Sequence, residues 1–341
     1  MLRILLVAAC PLFLVASSPA QRGDRQDRPA APPLQHFTSA SATFKSPKIT
    51  SGEAGYSIWL PKQYGDEAKK DTKYPWALWL PGFGGTDEFE RGGGIAVLDR
   101  LTGEGKVPPM AFVVFRSPGR RGRSVYTNGE GGNAIEDAIV VDLVAHLEAT
   151  YRLIADKKAR ALMGVSAGGF GALKIAMRHP DVFGAVAAHS SAILPADPSE
   201  VGGTAEGVVQ RQLQAGLAKE LGDPIDPAKW AAHMPLGIVA TRKPEEMAGL
   251  HIYFDAGTED DYGFCPPNEE LARKMTERGF AHVFRKVEGG GHAFGSASMK
   301  DNVAVSLQYV GAAISGKDPA AAIAAFLKKP AAADEKKEAG K

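Results

Sequence analysis

Ser166 sits inside Gly164-Val165-Ser166-Ala167-Gly168, a G-x-S-x-G pattern with contrasting flanks. Before it, 159–165 is a short apolar run with a β-branched end, long enough for one buried strand. After it, Phe170, Leu173 and Met177 recur at helical spacing until His179-Pro180 stops the helix. Strand, sharp turn and helix together present a serine hydroxyl at a strand tip, where it can act as a nucleophile. Glycines at 164 and 168 permit a tight turn that a Cβ would obstruct. The bare pattern is weak evidence in so glycine-rich a chain, and a purely structural turn is the competing reading; the flanking strand and helix favour the nucleophile.

A serine hydroxyl attacks well only when a neighbouring imidazole takes its proton, and that imidazole needs a carboxylate to hold its tautomer. Of eight histidines, only His292 stands in a glycine-rich loop, Gly289-Gly290-Gly291-His292, after the last expected strand. The acid comes from the loop at 255–261. Asp260 is the first choice, because it lies far enough into the loop to reach a neighbouring one. Asp261 and Asp255 are the alternatives, Asp255 being better suited to accepting amide hydrogen bonds in the Gly257-Thr258 turn. Serine, acid and histidine then follow the chain order of α/β-hydrolases. The Ala167 amide, with one from the Gly82-Phe83-Gly84 loop, would stabilise the tetrahedral oxyanion. The scattered histidines lack the spacing of a helical zinc motif, and Glu259-Asp260-Asp261 lacks regular calcium-ligand spacing. No metal and no cofactor are therefore assigned.

The elements that must position these groups alternate along the chain. Strands are expected at 56–60, 75–80, 111–115, 159–165, 184–188, 251–254 and 281–287. Ile135, Ile139, Leu143 and Leu147 mark an amphipathic helix with Asp137, Asp142 and Glu148 off its stripe. Further helices are expected at 268–278 and 297–314. Segment 190–250 should form a small cap or side wall, with helices near 205–221 and 227–233; Trp230 there has packing as its expected role. Alternation of this kind implies an α/β fold, one mostly parallel sheet flanked by helices. The basic loop with Arg116, Arg120, Arg121 and Arg123 is a solvated loop or a cleft rim facing an anionic group, the former being commoner.

The chain has 341 residues, a formal charge of +1 and 44% hydrophobic residues. Near-balanced charge offers no stripe for nucleic acid. Met1 to Ala20 reads as a secretory signal peptide, with Arg3, an apolar run interrupted by Pro11, and Ser18-Pro19-Ala20 at the cleavage site. The run is too short for a stable membrane span. Cleavage after Ala20 is preferred to a lipid anchor on Cys10, and export to the periplasm or medium follows. Cys265 is then the one remaining cysteine, a small packed side chain with no disulfide partner. Residues 21–36 read as a flexible linker, 37–316 as the folded domain, and 317–341 as a disordered Ala/Lys/Glu-rich tail with a helical turn or two at 320–327. The substrate is a small-molecule or polysaccharide ester; oligomeric state is not readable.

Several ordered motifs together resemble the putative-esterase family of α/β-hydrolases, which includes feruloyl and acetylxylan esterases, S-formylglutathione hydrolases and antigen 85-type mycolyltransferases. The likeness runs from about Tyr56 to Leu307. It is carried by Leu80-Pro81-Gly82-Phe83, Arg123-Ser124-Val125-Tyr126-Thr127-Asn128, Asp142 to Tyr151 and the stretch from Gly164 to Leu173. His179-Pro180-Asp181-Val182-Phe183-Gly184, Asp255-Ala256-Gly257-Thr258-Glu259-Asp260 and Gly290-Gly291-His292 complete it. The resemblance implies a Ser166, Asp260 and His292 triad, with the amides of Phe83 and Ala167 as oxyanion donors. Pro81 and Ala167 depart from the His or Asp and the Met often found there, which changes the pocket lining but not the backbone donors. It implies a serine esterase. Acyl transfer to a sugar hydroxyl by the same triad is the nearest alternative, and a catalytically silent binding module the one of another class.

Overall fold

Apolar runs become central strands here because each buries both faces. In β3 (Trp76–Leu80) every residue is buried. Trp76, Leu78 and Leu80 join one core while Ala77 and Trp79 join the other, the two-residue alternation of a pleated strand. The computed structural model describes residues 33–118, 122–130, 132–201, 207, 211, 217, 220–222, 224–292 and 297–327. The described residues from Leu34 onward form one compact unit. The helix expected at 205–221 lies mostly outside the described residues, and the signal peptide expected at 1–20 and residues 21–32 of the expected linker lie wholly outside them.

The other strands are β1 (Phe37–Lys45), β2 (Glu53–Pro61), β4 (Ala111–Arg116), the short β5 (Asn128–Glu130) and β6 (Asn133–Ala134), β7 (Arg160–Val165), β8 (Ala185–His189), β9 (His251–Gly257) and β10 (Val283–Val287). The main sheet has the order β1-β2-β4-β3-β7-β8-β9-β10, with β5 and β6 forming a separate hairpin. From β4 to β10 neighbouring strands are parallel, while β1, β2 and β4 pair antiparallel. The chain leaves β3 for β4 on one side and returns as β7 on the other. That reversal opens a crevice at the carboxyl ends of β3 and β7, where parallel sheets place their ligands. Gly82-Phe83 leaves β3 and Ser166 leaves β7, so the expected loops meet at this point.

Some elements were not expected from the sequence. Strand β1 is largely exposed between Phe37 and Phe44, so its threonines and serines carry no burial signal. Helices Glu88–Arg91 and Gly94–Gly103 were not expected either, although Ile95, Leu98 and Leu101 are buried at helical spacing in the second. After the expected helix Pro227–His233 comes a second, Pro235–Thr241, opened by proline at its first position.

The stripe of Ile135, Ile139, Leu143 and Leu147 repeats every four residues, more than the 3.6 of an α-helix. Segment Ala138–Leu143 adopts the wider π turn, between α-helical Ile135–Asp137 and Val144–Thr150. All four side chains are fully buried. The local widening keeps a strict four-residue stripe on one face.

Both domain boundaries move outward. The Gln35 and His36 amides bond the Asp99 carboxylate at 3.0 and 2.7 Å, so the end of the supposed linker is part of the fold. At the other end, Pro319–Ala322 and Ala324–Leu327 are helical. Ile323 is fully buried in the core beneath the sheet, whereas Phe326 and Leu327 are exposed. The helical turns expected at 320–327 are present, but the domain boundary at 316 moves outward, because Ile323 supplies an apolar anchor that the Ala and Lys composition conceals; 328–341 lie outside the described residues.

Candidate active site

Ser166 occupies φ 58° and ψ −121°, between β7 and the helix Ala167–Arg178. A non-glycine residue held there costs about 1–3 kcal/mol and persists only where its surroundings over-determine it. Here the Ser166 amide donates to the His189 carbonyl at 2.9 Å, and the Ser166 carbonyl accepts from Phe170 and Ala192 at 2.9 and 3.1 Å. The flanking glycines are required. A Cβ on Gly168 would lie 1.9 Å from the Leu80 carbonyl oxygen, and one on Gly164 would lie 2.3 Å from that of Gly168. Close approach of the elbow to the end of β3 thus depends on both, as the sequence implies. Ala167 opens the helix, so its amide is among the four that have no partner within the helix.

The loops after β9 and β10 are tied together by their backbones. Thr258 donates to Val287 at 3.0 Å and Glu259 to Gly290 at 2.8 Å, with Gly257 so close to Gly290 that a Cβ would lie 2.0 Å from its oxygen. This brings His292 Nδ1 to 2.9 Å from Asp260 Oδ2. The other Asp260 oxygen accepts the Tyr262 amide at 2.9 Å, and the carboxylate is fully buried. With Nδ1–H donating to Asp260, Nε2 of His292 is left as the proton acceptor. The imidazole packs edge-on to Tyr262 and Phe264, 4.5 and 5.5 Å between ring centres. Phe264 in turn belongs to the apolar cluster that holds Ala167 and Phe170 and against which Phe83 packs. One patch of side chains therefore underlies the elbow, the β3 loop and the imidazole.

The other two aspartates take different places. Asp261 is exposed. Asp255 is buried, but its partners are not the Gly257-Thr258 amides that the sequence suggests. It lies 2.9 Å from His189 Nδ1 and accepts from the Tyr253 hydroxyl at 2.8 Å. His189 Nε2 lies 2.9 Å from Ser306 Oγ, making a second serine–histidine–aspartate row. Its members are almost wholly buried, and Ser306 donates to the Val303 carbonyl at 3.1 Å. No ester could reach it, so this row braces β8, β9 and the helix Ala297–Ala313. Nothing local in sequence foretells a partnership spanning residues 189, 255 and 306.

The loop after β3 leans on the elbow, since a Cβ on Gly82 would sit 3.0 Å from Ser166 Cβ. Two residues that the sequence reading gave no role fix its course. The Tyr126 hydroxyl donates to the Pro81 carbonyl at 2.5 Å, with φ 58° at Tyr126 and its ring filling the space beside Gly171. The Glu88 carboxyl, half-buried, accepts the amide of Gly82 and lies against Gly84. Of the four arginines considered for the rim, Arg120 and Arg121 lie outside the described residues. Arg116 bonds Ser41 and Ser57, bracing β1, β2 and β4. Arg123 borders the site, donating to the Phe83 carbonyl at 3.2 Å and lying 5.8 Å from the Phe83 ring centre.

Trp230 is fully buried in the same apolar cluster, its indole N–H donating to the Pro195 carbonyl at 2.9 Å, so packing is its role. Cys265 is buried, and burial pushes its thiol pKa up. A groove of about 620 Å³ runs between the helices Pro235–Thr241 and Cys265–Glu277, and none of Ser166, Asp260 and His292 lines it. Among the described residues, no helix is long and apolar enough to cross a membrane.

A mostly parallel sheet with a serine elbow at its switch point, and a histidine–carboxylate pair on the loops after its last two strands, defines an α/β-hydrolase fold. The chain belongs to the family described as Putative esterase, whose model matches residues 48–299. Esterase Rv1288 of Mycobacterium tuberculosis is 28% identical over 255 residues, covering 70% of this chain and 52% of that protein, so the chain spans about half the length of this relative. Among solved structures, a ferulic acid esterase is 24% identical with a TM-score of 0.60, covering 81% of this chain and 98% of the other. The S-formylglutathione hydrolase of Agrobacterium tumefaciens is 16% identical with a TM-score of 0.63, covering 82% and 96%. These structural likenesses bear on the fold.

Proposed function

We propose that the protein is an exported serine esterase that hydrolyses carboxylic esters through an acyl-enzyme on Ser166. The observation that carries this reading is the His292–Asp260 hydrogen bond, on loops joined by one apolar cluster to a strained serine elbow. In acylation, Ser166 Oγ attacks the ester carbonyl carbon while His292 Nε2 takes the hydroxyl proton, and Asp260 stabilises the imidazolium. Negative charge gathers on the former carbonyl oxygen, where the Phe83 and Ala167 amides are the donors. Collapse expels the alcohol, which takes the proton from His292. Water then repeats the sequence on the acyl-enzyme, releasing the acid and restoring Ser166. Acyl groups on a polysaccharide are the proposed substrates, a reading supported by the family and by the ferulic acid esterase among the structural neighbours.

A fluorophosphonate probe is expected to label Ser166 and no other serine, and the labelled protein should not hydrolyse short-chain aryl esters, acetylated xylan or feruloylated oligosaccharide. Equal labelling of Ser166→Ala would remove the acyl-enzyme from the reading. Hydrolysis of none of the three substrates by the unlabelled protein would point instead to transfer onto a sugar hydroxyl or to binding alone. Export rests on the charged start, apolar run and small residues of Met1 to Ala20. Intact mass of the exported protein should begin at Gln21; a retained Met1, or a lipid mass on Cys10, overturns cleavage there.

A further inference from the structure

We infer that Glu88 is a positioning residue for the oxyanion-stabilising amide of Phe83, its carboxylate gripping the backbone on either side of that residue. The inference rests on the reading of Phe83 and Ala167 as the oxyanion donors. Gly82 donates its amide to Glu88 Oε1, and Glu88, which opens the short helix Glu88–Arg91, sets its Oε2 against Gly84. The amide between these two glycines belongs to Phe83. One carboxyl bonded to the residue before and packed against the residue after restricts the backbone on both sides of Phe83, and with it the direction of the Phe83 N–H. An oxyanion donor needs that direction set before the reaction starts, because a donor that must reorient loses much of its advantage.

Glycine at 84 belongs to the same device. A Cβ there would lie 2.4 Å from Glu88 Oε2, so any side chain would drive the carboxylate out. From the opposite side Arg123 holds the Phe83 carbonyl, and Arg91 bonds the Gly84 carbonyl at 2.9 Å. The loop is thus pinned at three successive residues, with the Phe83 amide not among the pinned groups.

This arrangement has an energetic signature. Burial pushes the Glu88 carboxyl up to about 7, outweighing the backbone amides it faces and the Arg91 charge; Asp87 adds to the rise. The carboxylate is the stronger acceptor for the Gly82 amide, since protonation turns one oxygen into a donor and removes the charge that strengthens the bond. With the folded value above the ordinary one, stability falls as pH rises through the window between 4.5 and about 7. Above that window the fold carries a charge that detracts from its stability, which suits a group retained for what it positions. The charged groups bearing on it are its near neighbours in the chain, Arg91 and Asp87.

The test is Glu88→Gln, assayed beside Ser166→Ala with an aryl ester. At pH 8 the variant should lose about 10- to 100-fold in kcat, less than the roughly 10²–10³-fold loss from deleting an oxyanion donor outright. KM should stay within about threefold, because the donor acts mainly in the transition state. The melting temperature at pH 8 should be equal to or above that of the wild type, since the buried charge is gone. Affinity for an aryl boronic acid, which places an oxygen in the oxyanion position, should fall by the same factor as kcat/KM. The wild-type to variant ratio should shrink toward unity as pH falls from 8 to 5.5. Gly84→Ala should reproduce the kcat loss with Glu88 intact. A wild-type kcat in Glu88→Gln, or a pH-independent ratio, overturns the inference while inactive Ser166→Ala leaves the esterase reading standing. Activity in Ser166→Ala overturns that reading itself.

Discussion

Asp260→Asn is expected to lower kcat by about 10⁴-fold on any ester the wild type hydrolyses, with thermal unfolding close to that of the wild type. The substituted amide has a single oxygen, which either stays on the Tyr262 amide and turns the NH2 to His292 Nδ1, or faces Nδ1 and sets the NH2 against the Tyr262 N–H. If the N–H faces the ring, Nδ1 must accept, the proton moves to Nε2, and the imidazole can no longer take a proton from Ser166. If the oxygen faces it, the imidazolium formed during attack has lost its counter-charge. Both routes strike the proton transfer and neither opens a cavity, because the two side chains are nearly equal in shape. Asp261→Asn, at an exposed position, should keep the wild-type rate. Asp255→Asn should act on stability, since it disturbs hydrogen bonds to His189 and Tyr253 in the buried row that braces β8 and β9. Steady-state kinetics beside thermal unfolding separate the three. An Asp260→Asn protein at wild-type rate, with Asp255→Asn folded and inactive, would move the acid role to Asp255.

The contrast between these aspartates shows where a single sequence stops being legible. The elbow was readable because its signals are local: a strand, two glycines and a helix within twenty residues, each with a steric reason to be there. The β9 acid loop and the β10 histidine loop were also visible, as polar and glycine-rich breaks after apolar runs. Which aspartate meets the imidazole depends on backbone pairing between two loops some thirty residues apart, set by Thr258 on Val287 and Glu259 on Gly290. Asp255 was readable as a bracing residue and not as a partner of His189, because that partner lies 66 positions away on the neighbouring strand. Strand β1 hid for another reason, since an exposed edge strand needs few apolar residues. Glu88 was missed because a carboxylate in a glycine-rich stretch looks solvated until its helix turns it back onto the chain. The same limit applied to Ile323, one apolar residue whose burial outweighs the composition around it.

Glu136→Gln is expected to destabilise the fold by about 3–5 kcal/mol, because it leaves a buried lysine charge without its counter-ion. Glu136 and Lys174 are both fully buried and 2.8 Å apart. Arg178 and His179 approach the other Glu136 oxygen at 2.8 Å each. Burial alone would push the Glu136 carboxyl up, but the charge of Lys174, the His179 hydrogen bond and the Arg178 charge together hold it far below the usual carboxylate range. A depressed folded value means that the stabilisation is present above the ordinary value of 4.5 and is lost only as pH falls well below it. The wild-type advantage over Glu136→Gln should therefore be constant from pH 8 to 6 and narrow only in acid. For a domain of this size the loss corresponds to a melting temperature roughly 10 °C lower. The effect should reach the active site as well, since Lys174 Nζ donates to the Tyr126 carbonyl at 2.6 Å and the Tyr126 hydroxyl holds Pro81, at the root of the Phe83 loop. Adding Lys174→Met to Glu136→Gln removes the orphaned charge and should recover part of the lost stability without restoring the hold on Tyr126, so kcat should stay low while the melting temperature rises. Calorimetry across pH with kcat measured beside it decides both parts. A Glu136→Gln protein that melts with the wild type would show that Lys174 finds its counter-charge elsewhere, and a double variant with wild-type kcat would cut the link from this ion pair to the loop.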